Sequence, residues 1–568
     1  MKKLLPVLCA CAFLCAGRGY AYTLQTDPAL NAMSAELARS TSALTNAEAA
    51  PMYYLSYQLN DTRQIHVSAE NGGIENSGES FNRYLDVDAR VGSRELDNTH
   101  EVKGMQGYTF RGNPVSIAAG ADIDAIRAEL WRWTDFYYKR AQEGYMKVRA
   151  NRDMTAADDD KSDDFSAPAA PERFYETGEL PAVDRTEWET RLKNYTAYLS
   201  SFPFVFSNSA DFVATVYNRY FVSSEGTRVK TGDVYLRLSY NIATRTEDGM
   251  DLRRSKTYAG VRLSDLPDDK RIMADMAESV KELAALKSAP IVEPYSGPAI
   301  MRNRAAGVFF HEILGHRLEG HRLKKNSDGQ TFAKKINEKI VSEVITVEDD
   351  PTLASFDGIA LRGHYKYDDE GVKAQKVTLI ESGVLKNFLM DRTPAAGFVK
   401  SNGHGRRSAG KAVTSRMGNT IVTVKDPVPF DELRKAMIAE CRKQGKPYGL
   451  VFEDIAGGFT QTGRAGTQSF KVLPLLVYRV YADGRPDEIV RGVDIVGTPL
   501  TTFGKIAAGG DDAGVFNGTC GAESGWVPVS AVSPSILVTE LEVEKAHNPK
   551  EKAPILAPPL TGGEGDVK

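Results

Sequence analysis

The sequence predicts an α+β chain of two domains: a mixed α/β domain over 22–292 and a β-rich domain over 293–544 that opens on a histidine-bearing helix. Three observations predict it. The chain has 568 residues with 42% hydrophobic content, more than one packed core normally absorbs. Up to 292, helical and strand periodicities alternate in long segments. From Glu293 onward the pattern changes to short alternating segments broken by Gly, Asn and Asp, the mark of a predominantly β half.

In order along the chain, Lys2 and Lys3 precede an apolar run from Leu4 to Gly17 and small residues at Gly19 and Ala21, so 1–21 reads as a signal peptide removed on export to the periplasm or beyond. The run is too short to span a bilayer, and the mature form is expected to have no membrane span. A lipid-attachment box around Cys9 and Cys11 is the secondary reading, with a shorter hydrophobic run than such anchors use. Apolar residues Leu30, Met33, Leu37 and Leu44 predict a helix over 29–49. Strands follow over 52–68 and 83–92, then an aromatic-rich helix over 122–149. The stretch near 153–173 is acidic, Pro/Ala-rich and apolar-poor, and reads as a solvated loop. Strands over 211–224 and 233–246 and a helix over 268–287 complete the first domain. Ser296 as a cap and Pro298 in a first turn predict that the histidine-bearing helix begins there. The Pro/Gly-rich end, 545–568, reads as a disordered tail.

A net charge of −4, or −7 once Lys2, Lys3 and Arg18 are removed, offers no polyanion-binding surface and argues against nucleic acid as a partner. Of five cysteines only Cys441 and Cys520 lie beyond the signal segment, too few for a disulfide framework.

His311, Glu312 and His316 place two imidazoles and a carboxylate within six residues, the set a hydrolytic zinc site uses: neutral nitrogen ligands and a base for water. Histidines four apart lie about 40° from alignment on an α-helix, whereas these, five apart, differ by about 140°. A regular helix cannot aim both at one ion. The spacing therefore requires a π-type bulge or a break at Gly315. Without such a deformation, the histidines would simply decorate a helix face. His321 and Glu319 are local candidates for a third ligand or for residues supporting the ligands, and a distant third ligand is the more usual arrangement for catalytic zinc.

The segment from His311 through Leu318-Glu319-Gly320 resembles the metal motif of the TldD/PmbA family of metallopeptidases. Similar segments occur in the family's order: Pro294 to Pro298, Tyr367-Asp368-Asp369-Glu370-Gly371, the run over 379–395, Ser401 to Arg407, Arg416-Met417 with Asn419-Thr420, and Gly518-Thr519-Cys520-Gly521 followed by Val527 to Ser530. The resemblance is close over 293–544 and loose before it. It implies a TldD-like two-domain fold with one Zn2+ per chain held by His311, His316 and Cys520. Glu312 is then the base that helps water attack peptide bonds of small or unfolded polypeptides. It also implies a dimer, homodimeric or with a related chain, and places Gly457 and Gly458 near the substrate cleft. His321 departs from the family, which commonly has an acidic residue there.

Each of these readings has a rival. Cys520 could instead pair with Cys441. His404, beside Arg406, could bind substrate carbonyls or be an exposed turn residue. Asp368, Asp369 and Glu370 do not have EF-hand spacing and read as a solvated acidic turn. At the level of function, the alternatives to a peptidase are a non-catalytic peptide-binding partner subunit and a structural protein whose histidines only stabilise the fold.

Overall fold

The computed structural model describes residues 22–546 apart from 47–49, 102–113, 121, 155–160, 169, 325–327, 396, 464–469 and 498–501. The predicted signal segment and 547–568 lie outside the described residues.

In the first domain, α1 (Pro28–Leu44) starts at the Asp27 cap, whose carboxylate accepts the Leu30 N–H. Two long antiparallel strands follow, β1 (Met52–Glu70) and β2 (Gly73–Val91), reversing at Asn71-Gly72, both with positive φ. Next come α2 (Ile123–Met154), α3 (Arg185–Ser200), β3 (Ser207–Ser223), β4 (Arg228–Arg245), β5 (Asp251–Gly260) and α4 (Asp269–Ser288). The strands make one sheet in the order β2-β1-β3-β4-β5, with short strands at Val115–Ser116 and Arg173–Tyr175 added to β2 and β4. α1 and α2 cover one part of it, α3 and α4 another, each over its own apolar cluster.

The second domain opens on β6 (Tyr295–Met301), not on a helix. Local cap chemistry loses here to tertiary pairing. Ala299–Met301 runs parallel to β10 (Tyr448–Thr460), and the same residues pair antiparallel with β15 (Ile536–Lys545). Pro298 sits at an irregularity of the β15 register, where its missing N–H is tolerated. The helix, α5 (Asn303–Ile313), follows at once. Its residues Ala305 to Ile313 are buried on every side, so it is a core helix and not an amphipathic surface one.

The remaining principal elements are β7 (Ile345–Asp349), β8 (Val377–Glu381), β9 (Asn419–Val424), α6 (Phe430–Lys443), β10, β11 (Phe470–Tyr481), β12 (Val493–Gly497), β13 (Gly514–Ala522), β14 (Gly525–Ser533) and β15. β10, β6, β15, β12 and β11 close on themselves, since β11 also pairs with β10. A second sheet runs β8-β7-β9-β14-β13. α5 is clasped between the two sheets, with β10 on one side and β13 and β14 on the other.

Two acidic segments depart from expectation. Asp164, Phe165 and Ser166, in the stretch read as solvated, are buried. The Phe165 ring lies between the guanidinium groups of Arg90 and Arg392, 3.8 and 3.9 Å from its centroid, a cation–π contact that joins the two domains. Asp368 and Asp369, read as a solvated turn, are also buried. Asp369 accepts from Arg219 at 2.7 Å and Gln58 at 3.0 Å, both in the first domain, while Asp368 accepts the N–H groups of Glu370, Val372 and Gly405. Charge supplied from the other domain is what allows Asp369 inside, whereas Asp368 is held by backbone N–H groups of its own domain.

Candidate metal centre

α5 ends at Ile313, and after Leu314 the chain turns into a 3₁₀ segment, Gly315–Arg317. Of the two deformations that the histidine spacing allowed, the structure contains the break. Gly315 is needed there because a Cβ would lie 2.0 Å from the Met417 sulfur. Arg317 steadies the turn by donating to the carbonyls of Glu312 and Ile313 at 3.2 and 2.9 Å and to the Thr460 hydroxyl at 2.9 Å, satisfying helix-end acceptors.

This break brings His311 and His316 together, their rings 5.1 Å apart and at 80° to one another. Cys520, on β13, completes the group: its Sγ is 3.2 Å from His316 Nε2, and donor atoms of the three residues all lie within 4.8 Å of one another. Two donors on one tetrahedral zinc, at about 2.3 Å for sulfur and 2.0–2.1 Å for nitrogen, stand about 3.5 Å apart. The cluster fits such an ion with small adjustments. All three side chains are buried, and both Cys520 and Cys441 are free thiols in separate apolar clusters, so no disulfide competes for the sulfur. Burial pushes the Cys441 thiol up to about 11, leaving it inert.

The electrostatics match a cation site. Burial opposes ionisation of Cys520, yet His311 and His316 outweigh it and hold the thiol well below its ordinary value. Burial likewise opposes charge on His316, but Glu319 and the Cys520 thiolate push it up to about 10. The two imidazoles hold protons where a divalent ion would supply the positive charge beside the Cys520 thiolate. Glu312, on the preceding turn, is raised by burial, with His311 and His316 pulling the other way, so it can hold or release a proton nearer neutrality than an exposed carboxylate. Its Cγ lies against Gly458, where an added Cβ would stand 2.7 Å away.

Glu319 is fully buried and is not a donor to the cluster. Both its oxygens lie 3.2 Å from His316 Nδ1, and it takes hydrogen bonds from Arg322 at 2.8 and 3.1 Å. Arg416, also fully buried, stands 3.2 Å from Glu319 and donates to the Cys520 carbonyl at 2.9 Å and the Ser524 hydroxyl at 2.8 Å. One guanidinium therefore joins the His316 loop to the Cys520 strand. Sequence reasoning noted Arg416 only within a family segment; nothing local signals its role. His321 turns away toward Ser415 and Glu523, at 3.1 and 2.5 Å. His321, Asp328 and Glu523 form a second donor group, but Arg322 already bridges both carboxylates at 3.2 Å.

The cluster lies on a cleft of about 520 Å3, whose walls include Gly457, Gly458 and Phe459 of β10 and Thr519 to Ala522 of β13. His404 and Arg406 are not on it. His404 is fully buried, bonded to Asp349 at 3.2 Å and to Asn402, and Arg406 donates to the Met417 carbonyl at 2.6 Å while lying over Tyr365. Both hold loops together, because a buried imidazole or guanidinium needs such partners.

Residues 294–545 match the PmbA/TldA metallopeptidase C-terminal domain. A metalloprotease of Methanothermobacter thermautotrophicus is 26% identical over 431 residues, 74% of this chain and 88% of that one. A zinc metalloprotease TldD homolog of Saccharolobus solfataricus is 26% identical over 345 residues, 60% of this chain and 72% of that one. The crystal structure of TldE from Thermococcus kodakarensis shares the fold with a TM-score of 0.58 at 14% identity, covering 90% of this chain and all of the other.

Proposed function

Because this chain belongs to the PmbA/TldD family, we propose that it is a zinc-dependent peptidase acting on small or unfolded polypeptides. The observation that carries the proposal is the donor group His311, His316 and Cys520 with Glu312 beside it, on an open cleft. A zinc ion bound there supplies Lewis acidity and lowers the pKa of water. Glu312 takes the proton of the attacking water and returns it to the leaving amine, a role suited to a carboxylate whose pKa burial has raised. Glu319 and Arg416 keep His316 and Cys520 in place throughout.

The cleft walls favour an extended peptide. Beyond Phe452, β10 pairs only with β11, and β13 pairs only with β14 among the described residues. Two strand edges thus offer free backbone groups to a peptide lying between them, a form of recognition indifferent to sequence. Most of the backbone of a folded protein is already paired and cannot enter between two strands, which supports unfolded or short chains as substrates. The Lys2-Lys3 start and apolar run to Gly17 support export, and we place the activity outside the cytoplasm.

The test is elemental analysis alongside hydrolysis of an unfolded polypeptide. About one zinc per chain is expected in the wild type. His316→Ala should lose both metal and activity, whereas Glu312→Gln should keep the metal and lose turnover. Peptide binding without turnover in the zinc-loaded wild type would overturn the enzyme reading in favour of a binding subunit.

A further inference from the structure

Two of the most exposed large apolar side chains in the described residues stand on this cleft: Trp526 at 70% and Phe459 at 57% exposure. Phe516 lines it too, half-buried. We propose that these rings form a subsite for a bulky apolar side chain, aromatic or large aliphatic, next to the scissile bond of the peptide. The inference rests on the peptidase reading and adds a selectivity that backbone pairing alone cannot provide.

The rings are placed in advance. Trp526 pairs across the β13–β14 hairpin with Gly521, the residue after Cys520, and a Cβ on Gly521 would stand 2.8 Å from the indole. The indole therefore lies flat on bare backbone. Phe516 leans over Gly518, two residues along the same strand, where an added Cβ would stand 2.6 Å from the ring edge. Glycine under an aromatic ring is how a strand fixes a large ring that nothing else covers. The Trp526 backbone is held at both ends by Ser408, which accepts its N–H and donates to its carbonyl, each at 2.8 Å. Rings so fixed lose little freedom when a ligand arrives, and an apolar partner gains both area and ring-edge contacts. Phe459 approaches from the other wall, on β10, one residue beyond the Gly458 that accommodates Glu312.

The charges nearby do not select against this. Glu523, at the same end of the cleft, is bonded to His321 and Arg322, and Arg322 is further matched by Glu319 and Asp328. A charged substrate side chain would find its counter-ion already engaged, whereas an apolar one meets exposed rings.

The test uses the zinc-loaded Glu312→Gln protein, so that binding is read without turnover, and end-blocked peptides identical except for one Phe, Leu, Ala or Asp. Fluorescence anisotropy should show the Phe and Leu peptides bound about tenfold more tightly than Ala or Asp, about 1.4 kcal/mol. Adding Trp526→Ala or, on the opposite wall, Phe459→Ala should bring that ratio below about threefold while zinc content stays the same. An absent preference, no peptide binding, or a full preference in both variants would overturn the subsite. So would sedimentation showing that Trp526→Ala converts a dimer to monomer, because the indole would then be covered by a second copy. Wild-type turnover is measured separately: if it is absent while the binding ratio holds, the peptidase reading fails and the subsite stands.

Discussion

Glu319 offers the most informative perturbation, because Glu319→Gln changes one charge and almost no volume at a fully buried position. In the native protein the carboxylate lies 3.2 Å from His316 Nδ1, 2.8 Å from Arg322 and 3.2 Å from Arg416. An anion behind a metal-binding imidazole fixes its orientation and raises its basicity, and removing such a partner typically weakens metal binding about 10- to 100-fold. That corresponds to about 1.4–2.7 kcal/mol. A separate effect acts on the fold, since two buried guanidinium groups lose a common counter-ion. Arg322 keeps Asp328 and Glu523, and Arg416 keeps the Cys520 carbonyl and Ser524, so the loss should stay near the 1–3 kcal/mol of an under-satisfied buried polar group, about half of what a fully orphaned charge costs. Competition for zinc against a chelator of known affinity reads the first effect, and thermal unfolding of the metal-free protein reads the second. A variant whose zinc affinity stays within about twofold of wild type while its metal-free form is destabilised would refute the reasoning, because Glu319 would then serve the fold alone.

Gly458→Ala would place a Cβ 2.7 Å from Glu312 Cγ and 3.0 Å from the Lys471 carbonyl, so Glu312 must move; with Glu312 as the proposed base, we expect turnover to fall about 100-fold with zinc content unchanged, read by kinetics beside metal analysis. At the domain junction, burial raises Asp368 to about 6, and burial with the nearby Asp391 and Asp368 raises Glu370 well above the ordinary carboxylate value. The folded protein therefore holds protons that the unfolded chain releases, and this contribution to stability is complete below pH ~4 and lost as pH rises through about 6 and beyond. Glu370→Gln should remove its share of that loss, so that its melting temperature gains on the wild type steadily between pH 5 and 8; a constant gap across that range would refute the assignment.

How much of this was readable beforehand depends on how far apart in the chain the interacting groups lie. The His311–Glu312–His316 spacing is local, and geometry alone demanded a deformation between the histidines, either a π-type bulge or the break that is found at Gly315. Cys520 could be connected to it only by resemblance, since 204 residues separate it from His316 and no periodicity spans them. The false helix at Ser296 shows the opposite weakness: local cap residues were present, but strand partners on both sides outweighed them. The acidic segments at 161–168 and 368–370 failed for a related reason. In isolation such sequences are more stable in water, and partners distant in the chain make their burial tolerable: Lys324, 160 residues from Asp164, Arg392, 226 residues from Ser166, and Arg219, 150 residues from Asp369. Arg416 belongs to the same class. A positioning arginine is defined by what it joins, here Glu319 and the Cys520 carbonyl at 104 residues' remove, and not by any pattern around it. The candidate donors were therefore legible where one short segment carries them, whereas the groups that orient those side chains and shape the cleft become visible only when the two sheets close around α5.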